Sequence, residues 1–270
     1  MDKPVVSVII PCFNQGTYLG ETIQSVLRSD FATYEIVIVN DGSTETFTNQ
    51  FIDNYNHPNV RIIKTKNQGL AEARNTGIKA SSGKYVLPLD ADDKISPTYI
   101  SEGIKILDKD ETIKVVTAET RLFGAVNRRM KLLNFSLENL MCQNTMVCSS
   151  FFRRKDFDLT EGYNANMKYG FEDWDFWLTL LETGGSVYRI PEEHFFYRIK
   201  KSSMITNLQQ RETKLRDMRL QLYNNHKKLY SSYFFDPTKS FEFDLIYNSR
   251  EYKLGKLLLK PIRSLNKLFQ

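Results

Sequence analysis

The chain has 270 residues, 41% apolar and 26% charged, proportions that exclude a disordered or low-complexity chain. No run approaches the roughly 18 apolar residues of a membrane-spanning helix, and the N-terminal stretch is too short and too unbroken for a signal peptide. The net charge of +5 is unevenly placed: residues 205–270 hold 13 Lys/Arg against 6 Asp/Glu, a net of +7, which leaves −2 for residues 1–204.

Residues 5–10 (VVSVII) form an unbroken apolar run, the pattern of a strand covered on both faces. Residues 15–29 place Tyr18, Leu19, Thr22, Ile23, Val26 and Leu27 at helical spacing. A second buried strand is predicted over 35–39, followed by Asp41-Gly42-Ser43 as a turn and helix cap. A strand over 60–64, a helix over 70–79 and a strand over 85–89 come next, the last ending abruptly in Asp90-Ala91-Asp92-Asp93. Ser96-Pro97 is expected to open the following helix with proline at its first position. This alternation predicts an α/β fold with a Rossmann-like, mostly parallel central sheet and helices on both faces. The later chain is less regular, with strand-like 146–152, a helix over 171–182, strand-like 195–199 and mostly helix from 207.

Ligands of such sheets bind beyond the carboxyl ends of the strands. Three polar clusters fall there, at 11–15, 40–43 and 90–93. The Asp90, Asp92 and Asp93 carboxylates repel one another unless they share a cation such as Mg²⁺ or Mn²⁺, and the other reading is a solvated acidic turn. Glu172-Asp173 opens a helix, where carboxylates either complement the helix dipole or do chemistry. Cys12, Cys142 and Cys148 are odd in number and lack a CxxC pair, so neither a disulfide framework nor a zinc site is expected, and the chain reads as cytoplasmic.

Five segments, SVIIPCFNQGTYLGETIQSVL, YEIVIVNDGSTE, NQGLAEARNTGI, GKYVLPLDADD and GFEDWDFWLTL, occur in this order between residue 5 and about residue 200. Together they resemble the family 2 glycosyltransferases of the GT-A fold. The resemblance implies residues 1–204 as the transferase domain, with 1–118 its nucleotide-binding half and 119–204 its acceptor half, and 205–270 as a helical basic extension. It implies an inverting transfer from a nucleotide-sugar, expected to be a UDP-sugar, to a saccharide or lipid-linked saccharide. Pro11, Phe13, Asn14 and Asp41 are then expected at the uridine, and Arg74 and Asp90 near the ribose and phosphates. Asp92 is the expected ligand of Mn²⁺ or Mg²⁺, with Asp90 a candidate second. Asp173 is the expected general base and Glu172 its supporting neighbour. Trp174 is either an apolar platform for a sugar or a core residue, and Asn144, Ser149, Ser150 and Arg153 are candidate acceptor-lining groups. Many relatives carry Tyr-Arg-x-His after the base helix, whereas this chain reads Tyr197-Arg198-Ile199-Lys200. Either His194 supplies the missing metal ligand, or Lys200 with Arg198 contacts the donor diphosphate, and the second is favoured.

A sugar nucleotidyltransferase would carry basic residues in the loop after the first strand, and PCFNQGTYLG has none. A non-catalytic nucleotide-sugar or glycan-binding relative would not need Asp41, Asp92 and Asp173 together. No nucleic-acid partner is expected, because the basic tail is unaccompanied by a reading motif. Residues 252–269 (YKLGKLLLKPIRSLNKLF) interleave leucines with Lys and Arg, and Pro261 interrupts the helix. That segment suits either an anionic membrane surface, at the inner face of the plasma membrane, or docking on protein.

Overall fold

The apolar runs of the first 90 residues become β1 (Val6–Cys12), β2 (Tyr34–Asp41), β3 (Val60–Thr65) and β4 (Tyr85–Pro88). The computed structural model describes residues 3–200, 212–233 and 241–259. Its remaining strands are β5 (Lys94–Ile95), β6 (Ile113–Gly124), β7 (Arg128–Arg129), β8 (Phe151–Arg153) and β9 (Ser186–Ile199). Among the described residues they join in one sheet of order β3-β2-β1-β4-β8-β6-β9-β5, with β7 paired to β6. The long ladders β1–β2, β2–β3, β1–β4 and β6–β9 are parallel, whereas the antiparallel contacts of β5, β7 and β8 are two residue pairs each.

Successive strand residues face opposite ways and so build two cores. Val8, Ile10, Ile36, Ile38 and Leu87 face one side, covered by α1 (Gly16–Leu27), α2 (Thr46–Asn54) and α4 (Tyr99–Lys109). Ile9, Val37, Val39 and Val86 face the other, covered by α3 (Leu70–Ala80) and α7 (Glu172–Leu181). Short helices α5 (Leu137–Cys142) and α6 (Arg154–Phe157) lie between β7 and α7 in the chain. Gly77 lets α3 sit close on the sheet: a Cβ there would overlap the Ile9 methyl.

The expected extension supplies α8 (Glu212–Asn225), α9 (Lys227–Tyr233), α10 (Phe241–Asn248) and α11 (Arg250–Leu258). Met218, Leu222 and Leu229 are buried in the same core as α7, so α8 and α9 buttress that helix from behind. In α11 no side chain is buried, and Leu254, Leu257 and Leu258 are 56–65% exposed. Pro261 and the residues after it lie outside the described residues.

Three expectations are corrected. Residues 146–150 are not strand, because Ser150 turns back on Val147 through its hydroxyl, and only β8 pairs. The last strand begins at Ser186 rather than 195 and runs parallel to β6, a strand absent from the pattern reading. The helix expected at Ser96-Pro97 begins at Tyr99, since residues 94–95 pair with β9 and Ser96 bonds His194 through both backbone and side chain.

Candidate active site

The carboxyl ends of β1, β2 and β4 open on one side of the sheet, and α7 presents its N-terminus to the same place. Among the described residues, two non-glycine residues have left-handed φ, Asn14 (55°) and Phe171 (68°), and both flank this opening. Such conformations cost roughly 1–3 kcal/mol and persist where the surroundings fix them. Asn14 clamps the loop after β2: its Oδ1 accepts from the Thr44 and Glu45 amides at 2.8 and 3.0 Å, and its amide donates to Ser43 Oγ. Phe171 caps α7 and turns Glu172 and Asp173 into the opening.

Arg74, on the sheet-facing side of α3, is 1% exposed and joins the two halves of the site. One guanidinium nitrogen donates to Glu172 Oε1 and another to Asp90 Oδ1 at 2.7 Å, while the group lies 5.4 Å from the Tyr163 ring centre. Burial opposes its charge, but the Asp90 and Glu172 carboxylates outweigh burial and raise its pKa. Asp173 is half-buried. Its carboxylate accepts from Asn144 Nδ2 at 3.0 Å and from the Trp174 amide at 2.8 Å. Removal from water, then the Glu172 charge, push its pKa up to about 7 against the opposing pull of Arg74. A carboxylate with that value is a competent proton acceptor near neutral pH.

The acidic turn after β4 is built as a cluster. Asp93 is buried, accepting the Arg198 amide at 2.7 Å on Oδ1, while its Oδ2 has no hydrogen-bond partner. Asp92 Oδ2 lies 2.6 Å from Lys200 Nζ, which also donates to Gln15 at 3.0 Å. Burial first, then the neighbouring aspartates, raise the pKa values of both Asp92 and Asp93. The carboxylates of Asp90, Asp92, Asp93, Glu172 and Asp173 outnumber the cations Arg74 and Lys200. That excess and the hard oxygen donors fit a divalent cation of the Mg²⁺ or Mn²⁺ class. Asp41, beneath the loop after β3, accepts from Thr65, Gln68 and Gly69.

Several expected residues are placed elsewhere. Trp174 is 4% exposed with its indole N–H on the Leu140 carbonyl, so of its two readings the fold uses the core one. Ser149 and Ser150 are fully buried, and Arg153 is spent on the carbonyls of Leu107, Asp110 and Ile113, which removes all three from an acceptor wall. Pro11 is buried inside β1, paired with Val39. His194 points both ring nitrogens away from the aspartates, to Ser96 Oγ at 2.5 Å and Glu102 at 3.2 Å, and stacks on Tyr99. The Arg198 guanidinium is sandwiched by Tyr18 and Phe123 and bonded to Glu21 and the Asp92 carbonyl, so it holds the turn rather than facing a ligand. Contacts join Arg74 with Asp90 and Glu172, Asn144 with Asp173, and Lys200 with Asp92, while Asp41 ends β2 and Phe13, 43% exposed, and Asn14 follow β1. Pattern reading did not single out Cys148, whose Sγ lies 3.4 Å from Asp90 Oδ2, or Gln15 under Lys200.

The family described as Glycosyl transferase family 2 matches residues 7–172 of this sequence. The chain belongs to glycosyl transferase family 2. The segment and the order of its motifs agree with the resemblance, and the family is one of sugar-transferring enzymes. Relatives include the chondroitin synthase of Escherichia coli, 31% identical over 191 residues, which are 67% of this chain and 27% of that protein. An uncharacterized glycosyltransferase of Haemophilus influenzae is 28% identical over 234 residues, 78% of this chain and 71% of its own length. This family 2 chain thus spans about a quarter of the synthase and most of the second relative. Among solved structures, S. aureus TarS 1-349 in complex with UDP superposes with a TM-score of 0.62 at 18% identity, over 88% of this chain and 76% of TarS. The same TarS segment has been solved with UDP-GlcNAc. At that identity the likeness concerns the fold, which is of the expected GT-A type. Among the described residues no helix is long and apolar enough to cross a membrane.

Proposed function

We propose that this family 2 chain transfers a sugar from a UDP-sugar to a hydroxyl of a glycan or lipid-linked saccharide, inverting the anomeric centre in one displacement. The observation that carries this reading is Asp173: a half-buried carboxylate at the mouth of the site, oriented by Asn144, with its pKa pushed up to about 7. As the acceptor oxygen attacks the anomeric carbon, its proton passes to Asp173 and the bond to the nucleoside diphosphate breaks. An α-linked donor then yields a β-glycoside. Glu172 is bound by Arg74 and acts as a positioning residue, fixing the head of α7 against Asp90.

A uracil ring is the base expected above Asp41, whose two carboxylate oxygens each accept twice, from Thr65 and Gln68 and from Gln68 and Gly69, so that it shapes the base pocket by holding the loop after β3. The TarS complexes with UDP and UDP-GlcNAc support the same donor class. Asp92, with Asp90, would hold a divalent cation, which when bound neutralises charge on the leaving diphosphate. Lys200, just after β9 and paired with Asp92, moves to the diphosphate when the donor enters. The exposed leucines and lysines of α11 suit the enzyme to the anionic inner face of the plasma membrane, beside a lipid-linked acceptor. The test is UDP release from a panel of UDP-sugars with and without Mn²⁺, followed by the anomeric configuration of the product. One donor class should release UDP in an Mn²⁺-dependent manner and give an inverted linkage. Retained configuration, or pyrophosphate in place of UDP, would contradict the reading.

A further inference from the structure

Asp90, Asp93 and Cys148 each place a ligand atom within 4.8 Å of the other two. Cys148 is 9% exposed, in the turn before β8, and its thiol donates a hydrogen bond to Asp90 Oδ2 at 3.4 Å, a proton that a metal ion would replace. In a tetrahedral zinc site with Zn–S of about 2.3 Å and Zn–O of about 2.0 Å, neighbouring sulfur and oxygen ligands stand roughly 3.5 Å apart. The sulfur and oxygen of this pair already have that spacing. Independently, Asp93 is 1% exposed and its Oδ2 has no hydrogen-bond partner, a buried acceptor that lacks a counterpart.

We propose that Asp90, Asp93 and Cys148 form a seat for a thiophilic divalent ion of the zinc class, beside the oxygen-only position at Asp92. Hard ions such as Mg²⁺ and Mn²⁺ favour oxygen, whereas a thiolate recruits Zn²⁺ or Cd²⁺. Binding forms a metal–sulfur bond and releases the thiol proton to solvent, with no change of oxidation state. Asp90 is shared by both positions, so an ion on Cys148 withdraws that carboxylate from the donor side and from Arg74. Zinc would therefore antagonise the manganese-supported reaction, a consequence that rests on the sugar-transfer reading, whereas the seat itself rests only on the ligand atoms.

Cadmium is the probe, because a cadmium–thiolate bond has its own ultraviolet charge-transfer band. Titrating Cd²⁺ into the metal-free full chain should produce that band with a one-to-one end point. Cys142→Ser should leave it intact and Cys148→Ser should abolish it. Asp93→Asn should weaken Cd²⁺ binding by roughly tenfold or more. Circular dichroism of Cys148→Ser and of a second variant, Cys148→Ala, identifies any loss of fold, and a folded variant that keeps the band overturns the proposal. So does a wild-type chain that shows no band, or one whose band requires Cys12 or Cys142. UDP release is assayed separately with Mn²⁺. A chain that shows the band but releases no UDP refutes the sugar-transfer reading and leaves the metal seat standing.

Discussion

Asp173 is the residue on which pH should act most directly. Its carboxyl must be ionised to take a proton, so kcat/KM should rise with pH and level off above about 7, the value to which its surroundings push it. The same shift bears on stability. A carboxyl whose pKa is raised on folding stabilises the fold fully below its unfolded value of 3.8 and loses that contribution as pH rises through about 7. In metal-free protein, Asp173→Asn should therefore gain in Tm relative to wild type as pH rises from about 4 to about 7, by a few degrees, and keep that gain above it. An unchanged difference would place the acidic limb on another group. Lys200→Ala should raise the donor KM roughly tenfold, the scale of one charge-assisted contact, whereas His194→Ala should leave Mn²⁺ affinity in equilibrium dialysis unchanged. The roles of Asp173, Asn144, Arg74 and the acidic turn were legible through the order of the five motifs, since the residues alone also suited a solvated turn, a helix cap or a surface arginine. Trp174, Ser149 and His194 were not, since only burial reveals that an indole N–H, a hydroxyl or an imidazole already has its partner.

At the scale of elements, α7 is held from both ends. Arg74 fixes its first turn, while Asn225 donates to Asp175 Oδ1 at 2.6 Å from behind, and His226 sits between Asp175 and Glu182. Burial lowers the affinity of His226 for its proton, but the hydrogen bond and charge of Asp175, then those of Glu182, prevail and raise its pKa. Its stabilising contribution is thus fully present below its unfolded value of 6.5 and is lost as pH rises through the higher folded value. Thermal melts of wild type and His226→Gln should differ most at or below about pH 6, by a few degrees, and should converge at alkaline pH. A difference independent of pH would mean that His226 acts by packing alone. The first four strands and three helices were readable from unbroken apolar runs and helical spacing. β6 was not, because Thr117 and Thr120 are polar in sequence yet fully buried, and β9 hides its period behind bulges opposite Ala118 and Glu119.

For the molecule as a whole, charge is divided between a slightly acidic body and a basic extension whose outermost described helix, α11, offers leucines to solvent. Full-length protein should co-sediment with vesicles rich in anionic lipid, less so as salt rises, and a chain stopped at Asn248 should remain in the supernatant. Equal sedimentation of both would refute membrane docking and direct attention to a protein partner. The central claim is that the opening between the β-strand ends and α7 performs transfer with Asp173 as base. Its most direct measurement is the turnover of Asp173→Asn on the preferred UDP-sugar, alongside calorimetry of UDP binding to the same variant. Turnover should fall by roughly two to four orders of magnitude while UDP affinity is unchanged, and near-normal turnover by a correctly folded variant would contradict the account.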